Sequence, residues 1–380
     1  MRAHIASDLK ELNRSAIYSL IRAEGEISKA GLSRLSGISA PTVIKIVDYF
    51  RSLGILSEAG EGVSSLGRKP QLLRFEPGSA LAVGAEYDGV HLSVGLVDLA
   101  GALRGIRRSV APPDLRELLG SRLAREAEAL IADAGIERSC IKGIGIGVPG
   151  VVDPARRSLR QAPLVGVEES EDCGPLLDAL ERELGFPALL ENDANAAALG
   201  ELAARASGAA RAPAASGAGE GGDLVFVELG RGLGAGLVLD GRLRAGPRHG
   251  AGEIGYLVLG EGARGASARA GWLEERMDLG GFWDEVERSG SPSGASLDRV
   301  TSLLALALAN ICSALDLGRV VVGRAGEESF GEELLSRLRA ELGRLCPLEV
   351  SCEAPLEPEP GVRGAASLAA AAWLKEAFAG

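Results

Sequence analysis

The sequence predicts a winged helix-turn-helix head joined to an α/β body of two similar lobes. Three observations predict it. Charge is split along the chain: residues 1–75 hold 11 Lys+Arg against 7 Asp+Glu, a net of +4, whereas the rest holds 30 against 45, a net of −15. The first 53 residues fit three short amphipathic helices punctuated by glycines. Further on, strand, hairpin, strand and helix follow one another before residue 205 and again after residue 224.

Composition bounds the rest. With 380 residues, two or three domains are expected. Hydrophobic residues at 46% and charged residues at 24% exclude wholesale disorder. Aromatics at 4% beside 53 glycines predict a core of small aliphatics and many tight turns. The candidate apolar run 303–309 falls far short of the roughly 18 residues of a membrane span. The N-terminus shows no apolar stretch followed by a small-residue cleavage site, so a cytoplasmic protein without a membrane partner is expected. Cys140, Cys173, Cys312, Cys346 and Cys352 are odd in number and lack C-x2-C spacing, so they are expected to be small buried hydrophobes.

In the head, Leu12, Ala16 and Leu20 stand four apart, widened by Ile17 and Ile21, and predict a helix over 9–23 that Gly25 ends. Ser28 is a good N-cap for a second helix carrying Leu32 and Leu35, and Gly37 breaks it. Ser39 is read as the cap of a third helix, with Pro41 tolerated in its first turn. Val43, Ile46, Val47, Phe50 and Leu53 form its apolar face. Two helices joined by a short glycine-containing turn are the helix-turn-helix pattern. Its second helix enters a major groove by its N-terminal end, where Ser39, Thr42 and Lys45 lie. Ile55-Leu56, a Gly/Ser-rich loop and the run 72–75 complete a wing, whose tip carries Arg68 and Lys69 as phosphate-tracking cations. Bare three-helix packing or dimerisation is the competing reading, and the +4 charge with the Arg68-Lys69 tip favours operator DNA. The third helix has no Arg near its start, so phosphate positioning and groove shape gain weight.

In the body, residues 81–85 and 91–97 form a hairpin turned at Asp88-Gly89, followed by a helix near 114–135. Residues 141–148 are a glycine-rich strand, 175–184 a helix, and 187–190 a short buried strand that leads into an alanine-rich helix over 194–205. Asn192 and Asp193 thus stand at the carboxyl end of a strand, where open α/β sheets bind ligands. Their donors and acceptors suit a polyhydroxylated ligand, although helix capping explains Asp193 equally well. Residues 206–222 read as a mobile surface loop. The run Gly230-Arg231-Gly232-Leu233-Gly234-Ala235-Gly236 after a strand fits a phosphate-approaching turn or a tight hairpin. Helices over 298–314 and 364–378 are apolar nearly all round and should be buried.

Glu191-Asn192-Asp193-Ala194-Asn195-Ala196-Ala197-Ala198-Leu199-Gly200-Glu201, Ala251-Gly252-Glu253-Ile254-Gly255, Gly145-Ile146-Gly147-Val148-Pro149-Gly150 and Gly361-Val362-Arg363-Gly364-Ala365-Ala366 together resemble the ROK family of repressors and sugar kinases. The resemblance implies an actin-like, ribonuclease-H-like two-lobed sugar-kinase fold behind the winged head. It divides the chain into 1–75, a first lobe of 80–190 plus 365–380, and a second lobe of 191–364. It also implies that Asn192, Asp193, Glu253 and Glu274 contact sugar hydroxyls, Asp193 being the catalytic base in kinase members.

The departures from that family are informative. The kinases' D-x-G-x-T turn reads Glu86-Tyr87-Asp88-Gly89-Val90 here, their Gly-Thr-Gly turn reads Gly230-Arg231-Gly232, and their Gly-Gly near the adenine reads Arg324-Ala325. Phosphoryl transfer relies on positioning and charge neutralisation at such turns, so ATP use and cofactors are not expected. The family's zinc ligands, one His and three Cys, are replaced by Tyr256, Gly265, Ser267 and Trp272, so no metal is expected and the loop 256–274 must hold by packing or be looser. The leading expectation is a sugar-responsive DNA-binding regulator, a repressor, working as a homodimer or dimer of dimers on operator DNA with a monosaccharide effector. The alternatives are an ATP-dependent sugar kinase with an appended DNA-binding head, and a DNA-binding protein whose body only dimerises.

Overall fold

The computed structural model describes residues 2–61, 71–111, 113–207, 222–260, 271–324 and 329–379. In the head, α1 (Arg2–Glu24), α2 (Lys29–Ser36) and α3 (Ala40–Ser52) pack on a small sheet of β1 (Glu26–Ser28), β2 (Leu56–Glu61) and β3 (Gln71–Phe75) in the order β1-β3-β2. The winged helix-turn-helix is therefore present, with β1 as an addition. Ser28 caps α2 by accepting from the Gly31 amide at 3.0 Å, and Gly37 ends it in the left-handed conformation.

Three details of the head differ from expectation. The buried row of α1 is Arg14, Ile17, Tyr18 and Ile21, whereas Leu12 is 66% exposed. Ile17 and Ile21 belong to both candidate rows, and the body's last helix draws the inward face towards Arg14 and Tyr18. Leu35 is 51% exposed while Leu32 is fully buried. Ser39 stands at the N-cap of α3 without a side-chain cap bond; its hydroxyl instead pairs with that of Thr42 at 2.9 Å.

The body repeats one plan twice. Its first lobe contains β4 (Leu81–Tyr87), β5 (His91–Asp98), β6 (Leu103–Val110), α4 (Leu115–Glu117), a π-helical turn, α5 (Leu123–Ala134), β7 (Ile141–Val148), a small sheet of β8 (Val151–Asp153), β9 (Ser158–Ala162) and β10 (Val167–Asp172), α6 (Gly174–Leu184) and β11 (Ala188–Asn192). The linking helix is α7 (Asp193–Ala206). The second lobe contains β12 (Leu224–Leu229), β13 (Leu233–Leu239), β14 (Arg242–Leu243), α8 (Trp272–Met277), α9 (Leu279–Ser289), α10 (Gly294–Leu315), β15 (Arg319–Val322), α11 (Gly331–Leu345) and β16 (Ser351–Glu353), and α12 (Pro360–Ala379) closes the chain. The sheet orders are β11-β7-β4-β5-β6 and β14-β13-β12-β15-β16. In each, three parallel strands meet an antiparallel hairpin on one side.

The glycine-rich run after β12 resolves as a hairpin: Gly230 to Gly232 turn, and the remainder enters β13. Helix α10 has the length and apolarity of a membrane span, yet Val300, Leu304, Ala307, Leu308 and Cys312 fill the second lobe's core. Cys173, Cys312, Cys346 and Cys352 are buried and Cys140 is partly so. Most of the loop-like stretch 206–222 lies outside the described residues.

Helices α7 and α12 cross between the two sheets at backbone contact. A Cβ on Gly200 would overlap the Pro360 carbonyl, and one on Gly364 the Ala196 carbonyl. Helix α12 lies equally close to the first sheet, where Gly84 and Gly145 face the Val362 and Ala365 carbonyls. Only the first half of α12 is buried inside the body; Trp373 and Leu374 are half-buried and Phe378 enters the head's core. The neighbour of Gly364 is backbone and cannot yield. Gly364→Val is therefore expected to destabilise by roughly 3 kcal/mol or more, the upper range for an overpacked core, read as a lower urea midpoint. A cost below about 1 kcal/mol would contradict the close crossing.

Candidate functional site

A cavity of about 230 Å³ opens between the lobes. Asn192, Asp193, Glu253 and Glu274 all line it, although they come from four places in the fold. β11 carries Asn192 to its carboxyl end, opposite Val148 of β7. Asn192 caps α7 by accepting from the Asn195 amide at 2.9 Å, and its Nδ2 donates to the Gly150 carbonyl and to Asp193 Oδ1, each at 3.0 Å. Asp193 Oδ1 also accepts from the Ala194 amide at 2.8 Å. The capping role thus belongs to Asn192. The motif's end residues serve the scaffold: buried Glu191 binds the Asn192 amide and Asn195 Nδ2, and Glu201 binds Arg205 at 2.6 Å and the Leu356 amide at 3.0 Å.

Glu253 follows Gly252, whose backbone lies against Ala235 with φ of 94°; an added Cβ there would overlap the Ala235 carbonyl. Glu274 is held hard. Its Oε1 accepts from the Leu233 amide at 2.7 Å and its Oε2 from the Gly271 amide at 3.0 Å. It therefore ties α8 to the β12–β13 turn as well as lining the cavity. Trp272, 7% exposed, packs in the second lobe's core, so packing holds the base of the loop expected to lack zinc; Tyr256 lines the cavity. Gly265 and Ser267 lie outside the described residues.

Burial, and after it the like charge of Glu228, pushes Asp193 from 3.8 up to about 7. Burial, with Glu274 beside it, pushes Glu253 from 4.5 up to about 7. Glu86 is raised well above the usual range by burial and by Glu228, Asp193 and Asp88, against a lowering pull from Arg324.

Arg324 also lines the cavity, and the sequence marked it only as a departure from a glycine pair. It adopts a left-handed backbone conformation, φ 63°, as the replaced glycine would. Its guanidinium bridges the lobes, reaching Asp88 at 2.5 Å and Glu228 at 3.2 Å. Burial opposes the Arg324 charge, but Glu228 and Asp88 raise its pKa above the ordinary value. Burial alone would raise Asp88; Arg324 and the His91 and Val90 amides outweigh it and hold Asp88 below its ordinary range. Asp88, which stands where the kinases' turn has glycine, faces this arginine. Arg231, in the other altered turn, lines the cavity and pairs with Asp284 at 3.0 Å and Glu287 at 2.7 Å on α9. Sequence reasoning missed Glu228, although its place at the carboxyl end of β12 was a usable signal.

In the head, Ser39 and Lys45 are exposed and Thr42 is half-buried on α3. Arg68 and Lys69 lie outside the described residues. Among the described residues, no group of three or more His, Cys, Asp or Glu is arranged to hold a metal ion.

The ROK family model matches residues 83–275, just over half of the chain. The chain belongs to the ROK family. It is similar to the xylose repressor of Caldicellulosiruptor bescii, at 28% identity over 243 residues, covering 63% of this chain and 56% of that one. The ROK protein thus spans little more than half the length of such curated relatives. Its fold is similar to that of a ROK family transcriptional regulator described as a homologue of the E. coli MLC protein, with a TM-score of 0.71 at 20% identity over 98% of this chain and 97% of that one. It is also similar to the ROK hexokinase of Thermus thermophilus, with a TM-score of 0.56 at 25% identity over 76% of this chain and 97% of that one. The first likeness takes in head and body together.

Asp193 and Glu253 bind protons more tightly in the folded state than in the unfolded chain, whose ordinary values are 3.8 and 4.5. Their contribution to stability is complete below about pH 4 and is lost as the pH rises through about 7. The pair D193N and E253Q should therefore gain in urea midpoint over wild type at about pH 8 but not at about pH 5; equal gains at both would contradict the shifted values. Arg324→Ala leaves Asp88, Glu228 and Glu86 uncompensated. A loss of about 2–3 kcal/mol is expected, reduced from the fully buried case because these groups keep some solvent contact. A neutral result would show that the bridge is not formed.

Proposed function

We propose that this ROK protein is a sugar-responsive, DNA-binding transcriptional regulator that represses from the cytoplasm as a homodimer or dimer of dimers. One observation carries the reading: the cavity keeps four side chains suited to sugar hydroxyls, while Arg324 and its acidic partners fill the end where a nucleotide's phosphates would lie. Carboxylates and an amide offer both acceptors and donors to a polyol. A polyphosphate would meet Glu86, Asp88 and Glu228 in a low-dielectric cleft, where like charges repel strongly.

The coupling runs through α12. Its first turn lies against the cleft, since a Cβ on Gly361 would overlap the Glu86 carboxylate. Its last turn lies in the head, where Phe378 packs on Tyr18 and Phe50, and Arg14 and Tyr49 donate to the Ala377 carbonyl at 3.0 and 2.9 Å. Twenty residues of helix span about 30 Å, which links the lobe crossing to the DNA-binding helices by one stiff element. A sugar that prefers one lobe arrangement then shifts the spacing of two heads, in proportion to its differential affinity.

The test has two readouts on the full chain. A thermal-shift screen against monosaccharides, their phosphates and N-acetyl derivatives should raise the melting temperature by about 2 °C or more with at least one sugar. Duplex DNA binding should weaken steeply with salt through counterion release, and that sugar should change it. Phe378→Ala should keep the thermal shift and lose the sugar's effect on DNA. No shift with any sugar, or DNA binding indifferent to salt, would refute the reading. The kinase rival draws on one observation, the rise of Asp193 to about 7, which suits a general base. ATP turnover with hexoses that Asp193→Asn abolishes would establish that rival.

A further inference from the structure

Helix α3 buries Val43, Ile46, Val47 and Phe50, and so presents its opposite face to solvent. On that face Ile44 is 43% exposed, beside exposed Pro41 and Lys45. Several of the polar groups around it are already engaged. The Ser39 and Thr42 hydroxyls bond each other at 2.9 Å, Asp48 pairs with Lys29 at 3.3 Å, and Arg51 pairs with Glu58 at 2.8 Å. Lys45 makes no ion pair among the described residues. The helix contains no Asn or Gln, and its one arginine lies in the last turn.

Adenine is read by bidentate Asn or Gln, which α3 lacks, and guanine by Arg or Lys, which leaves Lys45 as the single candidate. Cytosine offers its N4 amino group to a carboxylate, but Asp48 of α3 is paired with Lys29. The C5 methyl of thymine is a further feature of the major groove, and an aliphatic group reads it. Ile44 lies in the half of the helix that enters the groove in this motif. The +4 charge of the head against −15 for the rest directs that face, and not the body, towards DNA.

We propose that Ile44 is a specificity-determining residue that reads thymine methyl groups in the major groove of the operator. This rests on the DNA-binding reading above.

The test uses the full chain and duplexes selected from a random-sequence library, with each thymine of the selected half-sites replaced in turn by deoxyuridine, which removes only the methyl. Wild type should lose about fourfold in affinity at one or two positions, the value of one buried carbon group. Ile44→Ala should bind the thymine duplex more weakly and show no difference between thymine and uracil at those positions. Ile44→Val should retain part of the difference. Ile44 is outside the head's core, and an unchanged melting temperature of the variants verifies that the head stays folded. Uracil substitution without effect at every position, or with equal effect in Ile44→Ala, overturns the inference alone. Absence of any duplex binding overturns the DNA-binding reading together with it.

Discussion

The crossing of α7 and α12 is the contact on which the rest of this ROK protein depends. The two helices meet backbone to backbone at Gly200 and Gly364, and each also lies against a sheet through glycines, Gly84 and Gly145 for α12 and Gly236 for α7. Close-packed interiors transmit displacement because little free volume absorbs it. The N-terminus of α7 carries Asn192 and Asp193 into the cavity, and the C-terminus of α12 carries Phe378 into the head. Cavity, lobe arrangement and the helices of the head are therefore built on one pair of helices.

The cavity is strongly acidic, with one arginine among its carboxylates. Asn192, Asp193 and Glu274 are held by backbone donors and Glu253 is buried, with Asp193 and Glu253 raised to about 7. Arg324 stands among Asp88, Glu228 and Glu86 and supplies internally the positive charge that this acidic turn requires. A side chain tethered to β15 has no translational freedom to lose, so it occupies this place at lower entropic cost than a free cation or a metal–nucleotide complex. The same bridge ties the first lobe's hairpin turn to the second lobe's central strand.

Much of the fold was legible in the residues because local physics dictates it. Glycine at 25, 37 and 54 takes positive φ where helices or turns end, and the apolar rows of α3 bury as their spacing requires. The inner row of α1 was not legible, since Ile17 and Ile21 fit two stripes and the choice came from α12 arriving from the far end of the chain. The strands β6, β9 and β10 also escaped notice: β6 alternates half-buried and exposed residues rich in arginine, without an apolar run to mark it. At the site, Asn192 and Asp193 were found from a strand end. Glu253 and Glu274 came only from resemblance, because a buried carboxylate has no periodic signature.

The sequence by itself determined the two-part charge, the helix-turn-helix head, the doubled α/β body and the residues at the carboxyl end of β11. These follow from composition, short-range periodicity and turn chemistry, which act over a few residues. Tertiary structure decided that Arg324 faces Asp88 across 236 positions of chain, that Arg231 pairs with Asp284 and Glu287 on α9, and that the final helix belongs to the head as much as to the body. Such pairings depend on which surfaces the folded chain brings within a few ångströms of one another, and separation along the sequence carries no record of that distance.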